Sequence, residues 1–209
     1  MFYDPRVALA PPPLSHNPLN TLVAPRPIGW ISTISARGEV NLAPFSYFNA
    51  VSADPPVVLF APNAKDDGEH KDSYRNVGEV PEFVVNVVSA PLAQAMNATS
   101  APFPHGVDEF AAAGLERADS TFVRPPRVAR ALAALECRVI QCVALPAGRS
   151  GRRSHVVIGE VIGVYIDDAL VKDGRVDQLA LAQVARLGHD DYTTVERLFS
   201  MKRPTAAAR

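Results

Sequence analysis

A mainly β domain with peripheral helices is what this sequence predicts, and three observations predict it. Apolar residues fall in short runs that alternate or are nearly continuous, prolines punctuate those runs, and stretches with helical spacing are few. The chain carries 19 prolines against 12 glycines, about twice the usual proline share of roughly 5%. Its 209 residues, 47% of them hydrophobic and 21% charged, are enough for one compact unit with a real core.

The elements follow in order. Residues 1–20 are proline-rich and poor in periodic pattern, and read as an N-terminal arm; 21–200 form the domain and 201–209 a C-terminal tail. Pro25 and Pro27 precede an apolar and Ser/Thr-rich strand at 28–35, closed by Ala36-Arg37-Gly38-Glu39, and a second strand at 40–51 completes a hairpin. Asp54-Pro55-Pro56 stops that strand, because proline lacks the ladder donor, and a third follows at 57–60. The run 83–88 is almost wholly apolar, as in a strand covered on both faces. Leu135, Cys137 and Val139 alternate, the phase then slips to Ile140, Cys142 and Ala144, and the strand at 156–167 contains Gly159 and Gly163. A phase slip and strand glycines predict bulges and tight bending, which a small closed barrel requires. Short helices are predicted near Asp72-Ser73, which supply a cap, and over 91–97, 108–113 and 178–187.

A formal net charge of -1 excludes the broad basic footprint of a nucleic-acid binder. No apolar stretch approaches the ~20 residues that span a bilayer, so no membrane segment and a cytoplasmic location are expected. Cys137 and Cys142 lie on one strand at a spacing that points them to opposite faces, which predicts two buried, reduced thiols. No cysteine or histidine spacing for a metal appears, and the Rossmann, P-loop and nucleophile-elbow motifs are all missing.

Three constellations could carry chemistry. The strand Trp30-Ile31-Ser32-Thr33-Ile34-Ser35 and its partner Asn41 to Asn49 mix hydroxyls and amides with aromatic rings, which suits a planar heteroaromatic ligand. Composition alone favours the plainer explanation that such residues like strands. His70-Lys71-Asp72-Ser73 stands ahead of a helix and could hold a phosphate, or could be an ordinary cap. Arg186-Leu187-Gly188-His189-Asp190-Asp191-Tyr192 could meet an anionic or aromatic substrate, or be a surface ion pair.

In order along the chain, Arg26-Pro27-Ile28-Gly29-Trp30-Ile31-Ser32-Thr33, Asn41-Leu42-Ala43-Pro44-Phe45-Ser46-Tyr47-Phe48-Asn49, Ser52-Ala53-Asp54-Pro55-Pro56, Lys71-Asp72-Ser73 and Glu82-Phe83-Val84-Val85-Asn86 resemble the flavin reductase-like family with the FMN-binding split barrel. Gly106-Val107-Asp108-Glu109-Phe110, Ile158-Gly159-Glu160-Val161 and Arg186-Leu187-Gly188 with Tyr192 continue the likeness, which is nearest to the branch associated with flavoprotein oxygenases. The resemblance implies a six-stranded Greek-key barrel, a homodimer with the flavin near the subunit interface, and noncovalent FMN. It would place Thr33 and Ser35 along the ribityl and phosphate, Ser46, Tyr47, Phe48 and Asn49 along the isoalloxazine edge, Lys71, Asp72 and Ser73 at the phosphate end, and Trp30 near the ring or in the core. Arg186, His189 and Tyr192 are candidates for contact with a substrate.

The expected activity is an NAD(P)H-dependent flavin reductase, with NADH or NADPH as co-substrate and a partner oxygenase as one receiver of reduced flavin. No catalytic side chain is expected, because the flavin carries the redox chemistry. The alternative is an FMN-binding electron carrier or flavin store without nicotinamide turnover.

Overall fold

The structure is a computed structural model that describes residues 1–65 and 68–204. Residues 205–209 of the expected tail lie outside the described residues. Seven strands make the main sheet: β1 (Gly29–Ile34), β2 (Val40–Phe45), β3 (Phe48–Ala53), β4 (Pro56–Phe60), β5 (Glu82–Val87), β6 (Ala133–Ala144) and β7 (His155–Ile166). Their order is β2-β1-β5-β6-β7-β4-β3, and every neighbouring pair is antiparallel. The mainly β expectation holds, with one strand more than the resemblance implied. The run predicted as a single strand at 40–51 is two strands, because the chain turns at Ser46 and Tyr47 and leaves one edge of the sheet for the other.

The sheet curls until its distant parts share one interior. Phe45 of β2, Val58 and Phe60 of β4, Phe83 and Val85 of β5, Cys137 of β6 and Val157 of β7 form a single buried cluster. Phe60 sits at its centre, with ring centroids 5.2 Å from Phe45 and 5.1 Å from Phe83. Burying aromatic side chains of this size supplies much of the driving force for closure. Among the described residues β2 and β3 do not pair, so the barrel is split between them.

The bulges predicted from the phase slip are present. Gln141 pairs with Ile158 and Val139 with Gly159, which leaves Ile140 as the extra residue, and a second shift leaves Ile162. Gly159 is required by packing: a Cβ there would lie 2.5 Å from Cε1 of Phe83. Cys137 is buried and Cys142 exposed, both free. The buried pair expected from sequence is corrected for Cys142, whose part of β6 runs beyond the core.

A second cluster, on the outer face, packs Trp30 and Leu42 against Leu92, Met96 and Phe110 from the helical segments. Helix α1 (Asp72–Glu79) begins after Lys71, whose side chain makes no capping hydrogen bond. The cap expected from Asp72 and Ser73 is therefore absent, since both already lie inside the helix. The helix predicted over 178–187 runs only from Gln178 to Leu181. Ala182 turns left-handed at φ 43, and Val184–Arg186 instead pairs with Arg26–Pro27 and Tyr192–Thr194. Burial of Val184 in the outer cluster holds that return. No described helix is long and apolar enough to cross a membrane.

Gly159→Ala should force the Phe83 ring out of the closed interior and lower stability by about 1 to 3 kcal/mol. Urea unfolding followed by tryptophan fluorescence will measure it, and an unchanged midpoint would refute the packing role assigned to this glycine.

Candidate functional site

The turn that splits the barrel also exposes the predicted ligand-facing residues. Ser46 and Phe48 are half-buried, and Tyr47 and Asn49 exposed. Phe48 is seated over Gly29, where a Cβ would lie 2.7 Å from its ring, so the glycine of the Pro27-Ile28-Gly29-Trp30 motif makes room for this turn. Tyr47 donates from its hydroxyl to Oδ1 of Asn20 at 2.8 Å, and its carbonyl accepts from the Ala61 N–H at 2.8 Å. The Ala50 N–H is met at 2.9 Å by the Asn49 side chain just before it.

Lys71, just ahead of α1, reaches Phe45, the residue before this turn. Its ammonium lies 5.4 Å from the centre of the Phe45 ring, and among the described residues no carboxylate pairs with it. Burial, with Lys65 as a second cationic neighbour, holds its pKa below the ordinary lysine value. A half-buried cation without a counter-ion keeps much of its charge free for an incoming anion. His70 packs against Tyr74 and His155, with ring centroids at 4.8 and 5.0 Å, which anchors the approach to α1 on β7.

Other residues expected near a phosphate are engaged within the fold. The Thr33 hydroxyl accepts from Nδ2 of Asn76 at 3.0 Å. Ser35 closes the β1–β2 turn by accepting from the Arg37 and Glu39 N–H groups. Ser73 donates to Oδ1 of Asn41 at 2.6 Å, and Asn41 donates onward to Glu109 at 2.7 Å. Asp72 meets His105 at 2.8 Å and Lys65 at 3.9 Å. Trp30 has no exposed surface, and its indole N–H donates to Thr99 Oγ1 at 2.9 Å. It sits in the outer cluster, so the core alternative describes its position.

Beside Ser46 a cavity of about 320 Å³ is lined by Ser46, Arg186 and His189 together with Arg26. His16, Asn17 and Asn20 of the N-terminal arm complete its wall. Tyr192 supports Arg186, whose guanidinium lies 4.4 Å from the centre of the Tyr192 ring and also donates to its hydroxyl. Arg26 donates to the carbonyls of Asn20, Val23 and Leu187, tying the arm to the Gly188-His189 loop. Sequence reasoning missed Arg26 and the arm residues as site groups. The signal available was a lone arginine between two prolines, which has no meaning until the strand Val184–Arg186 is laid beside it.

The arrangement is an aromatic and amide-rich turn with two separate cationic places near it, Lys71 by Phe45 and the Arg26–Arg186 pair in the cavity. No metal-ligating cluster occurs among the described residues.

Comparison with known proteins agrees with this geometry. Residues 22–180 match the model of the flavin reductase like domain. A Deinococcus radiodurans protein is 41% identical over 198 residues, taking in 90% of this chain and 84% of its own. Among solved structures, nitrilotriacetate monooxygenase component B from Bacillus cereus superposes with a TM-score of 0.82 at 30% identity, covering 88% of this chain and 90% of the other. The 2-nitrobenzoate 2-nitroreductase of Pseudomonas fluorescens gives 0.78 at 27% identity, covering 91% of each. The family match spans most of the chain and the fold agrees along nearly its whole length, so this chain belongs to the flavin reductase like domain family and is a flavin-binding oxidoreductase of split-barrel fold.

Proposed function

We propose that the protein is an NAD(P)H-dependent flavin reductase that holds FMN along the turn from Ser46 to Asn49. The observation that carries this reading is Lys71, a half-buried ammonium with no carboxylate partner among the described residues, set against Phe45 where that turn begins. FMN offers the matching groups, a phosphate for the cation and a flat ring system for the aromatic and amide surface. The chemistry that FMN supplies is acceptance at N5 of a hydride from nicotinamide C4, a two-electron step outside the reach of protein side chains.

The chain's own part is to bind and orient. Backbone and side-chain donors of the turn would favour a reduced, anionic flavin over the neutral oxidised one. Glu109, buried and accepting from the Leu42 N–H at 2.9 Å and from Asn41, holds β2 to the outer helices and so fixes the strand that leads into the turn. Strand β3 is an edge of the sheet with exposed residues from Asn49 to Ala53, Val51 among them. We assign that edge to a second copy of the chain, and sedimentation as a monomer at micromolar concentration would contradict the assignment. The Bacillus cereus structure is, by its name, a component of a monooxygenase, which supports an oxygenase as receiver of the reduced flavin.

Lys71→Ala should weaken FMN binding by about 1.5 to 3 kcal/mol through loss of a charge-assisted contact, read by titration of flavin fluorescence. Equal affinities in the variant and the parent would remove Lys71 from the site. The pH dependence has a fixed sign. Because the Lys71 pKa is depressed, rising pH neutralises it before the ordinary lysine value of 10.5 is reached, and FMN affinity should fall across that alkaline window. In Lys71→Ala the alkaline loss should disappear.

Anaerobic addition of NADH or NADPH to the FMN-loaded protein should bleach the flavin absorbance within the mixing experiment, and the faster donor is the physiological type. A flavin that stays oxidised with both donors would leave an electron carrier or flavin store as the function.

A further inference from the structure

The cavity beside Ser46 contains a charge arrangement that flavin binding at the turn does not use. Arg26 and Arg186 are direct cross-strand partners in the small sheet, and like charges placed opposite one another are destabilising. Arg26 is 6% exposed. Its hydrogen bonds go to neutral carbonyls only, its Nε has no partner, and no carboxylate pairs with it among the described residues. Arg186 has one acidic neighbour, Asp190 at 3.3 Å, whose side chain is fully exposed and contributes little. A buried guanidinium normally has a counter-ion. Here both arginines line the cavity.

The remaining lining suits an oxyanion. His16 and His189 meet edge to face with ring centroids 4.5 Å apart, and Asn17, Asn20 and Ser46 offer neutral hydrogen-bonding groups. The volume of about 320 Å³ holds a small organic anion. The arm is fitted closely: a Cβ on Gly188 would lie 2.1 Å from Thr21 Oγ1. His16, Asn17, Asn20, Arg186 and His189 all fall outside the 22–180 span shared with the family model. The cavity thus draws on both ends of the chain as well as on Arg26 and Ser46 within that span.

We propose that this cavity is the specificity site for the flavin's reaction partner and binds that partner's oxyanion, a carboxylate or a phosphate, between Arg26 and Arg186 under the arm residues His16 to Asn20. The link to the flavin's partner rests on the function proposed above; the anion site itself does not.

The test uses the full chain, with and without FMN, titrated separately with benzoate and with inorganic phosphate by calorimetry and by the ring-proton signals of His16 and His189. Saturable binding of either probe that moves both histidines is expected. Benzoate alone identifies a carboxylate partner, and phosphate alone a phosphorylated one. Arg186→Gln should weaken that binding about tenfold or more while FMN affinity stays as in the parent. Gly188→Ala, which displaces Thr21 and with it the neighbouring carbonyls that hold Arg26, should weaken it as well.

The proposal is overturned if neither probe binds saturably, if Arg186→Gln binds as tightly as the parent, or if binding is lost in Lys71→Ala but kept in Arg186→Gln. Failure of the flavin reading is separately visible. In that case anion binding keeps its dependence on Arg186 while FMN fails to bind at any concentration tried.

Discussion

Backbone groups must find partners, and at Ser46-Tyr47 the regular ladder of this sheet is interrupted, with the Tyr47 carbonyl met by the Ala61 N–H. The ladder of β2 ends there, and the chain resumes as β3 on the far edge, with the shared interior around Phe45, Phe60 and Phe83 and the seat of Phe48 over Gly29 holding the two edges near each other. That one interruption explains most of what is distinctive in the molecule. It leaves an opening, it lines the opening with residues freed from pairing, and it leaves β3 as an exposed edge. A fully closed barrel of the same strands would have no such place.

Two cations approach the opening from different parts of the chain, and they differ in how they are held. Lys71 ends the loop before α1 and rests against an aromatic ring, a soft arrangement that burial makes less basic. Arg26 is fixed by carbonyls from the arm and from the 187 loop, a rigid arrangement in which the charge itself is left unanswered. A lysine gives a compact point charge and an arginine a planar fork. The two places are therefore suited to different anions, and one ligand with one charged end would not satisfy both.

Much of the fold was legible in the sequence because its signals were local. Asp54-Pro55-Pro56 ended a strand as proline must, and the change of phase after Val139 marked the bulge at Ile140. The strand break at Ser46-Tyr47 was not legible, since Phe45-Ser46-Tyr47-Phe48 has no proline or glycine and reads as continuous β pattern. The stretch at 178–187 misled for the opposite reason: its apolar spacing fits a helix, but Ala182 turns left-handed and Val184 is claimed by a distant core. The order of motifs pointed to the right family. Which hydroxyls already have partners in the fold, as Thr33 and Ser73 do, depends on contacts across more than thirty residues of sequence, with Asn76 and Asn41, and no local pattern carries it.

The chain of bonds from Ser73 through Asn41 to Glu109 has a direction. The carboxamide of Asn41 must accept on one side and donate on the other, so its two ends are not interchangeable. Aspartate, nearly the same in shape, would turn a second carboxylate toward Glu109. An aspartate at this one position would thus introduce repulsion at the joint between α1 and the outer helix.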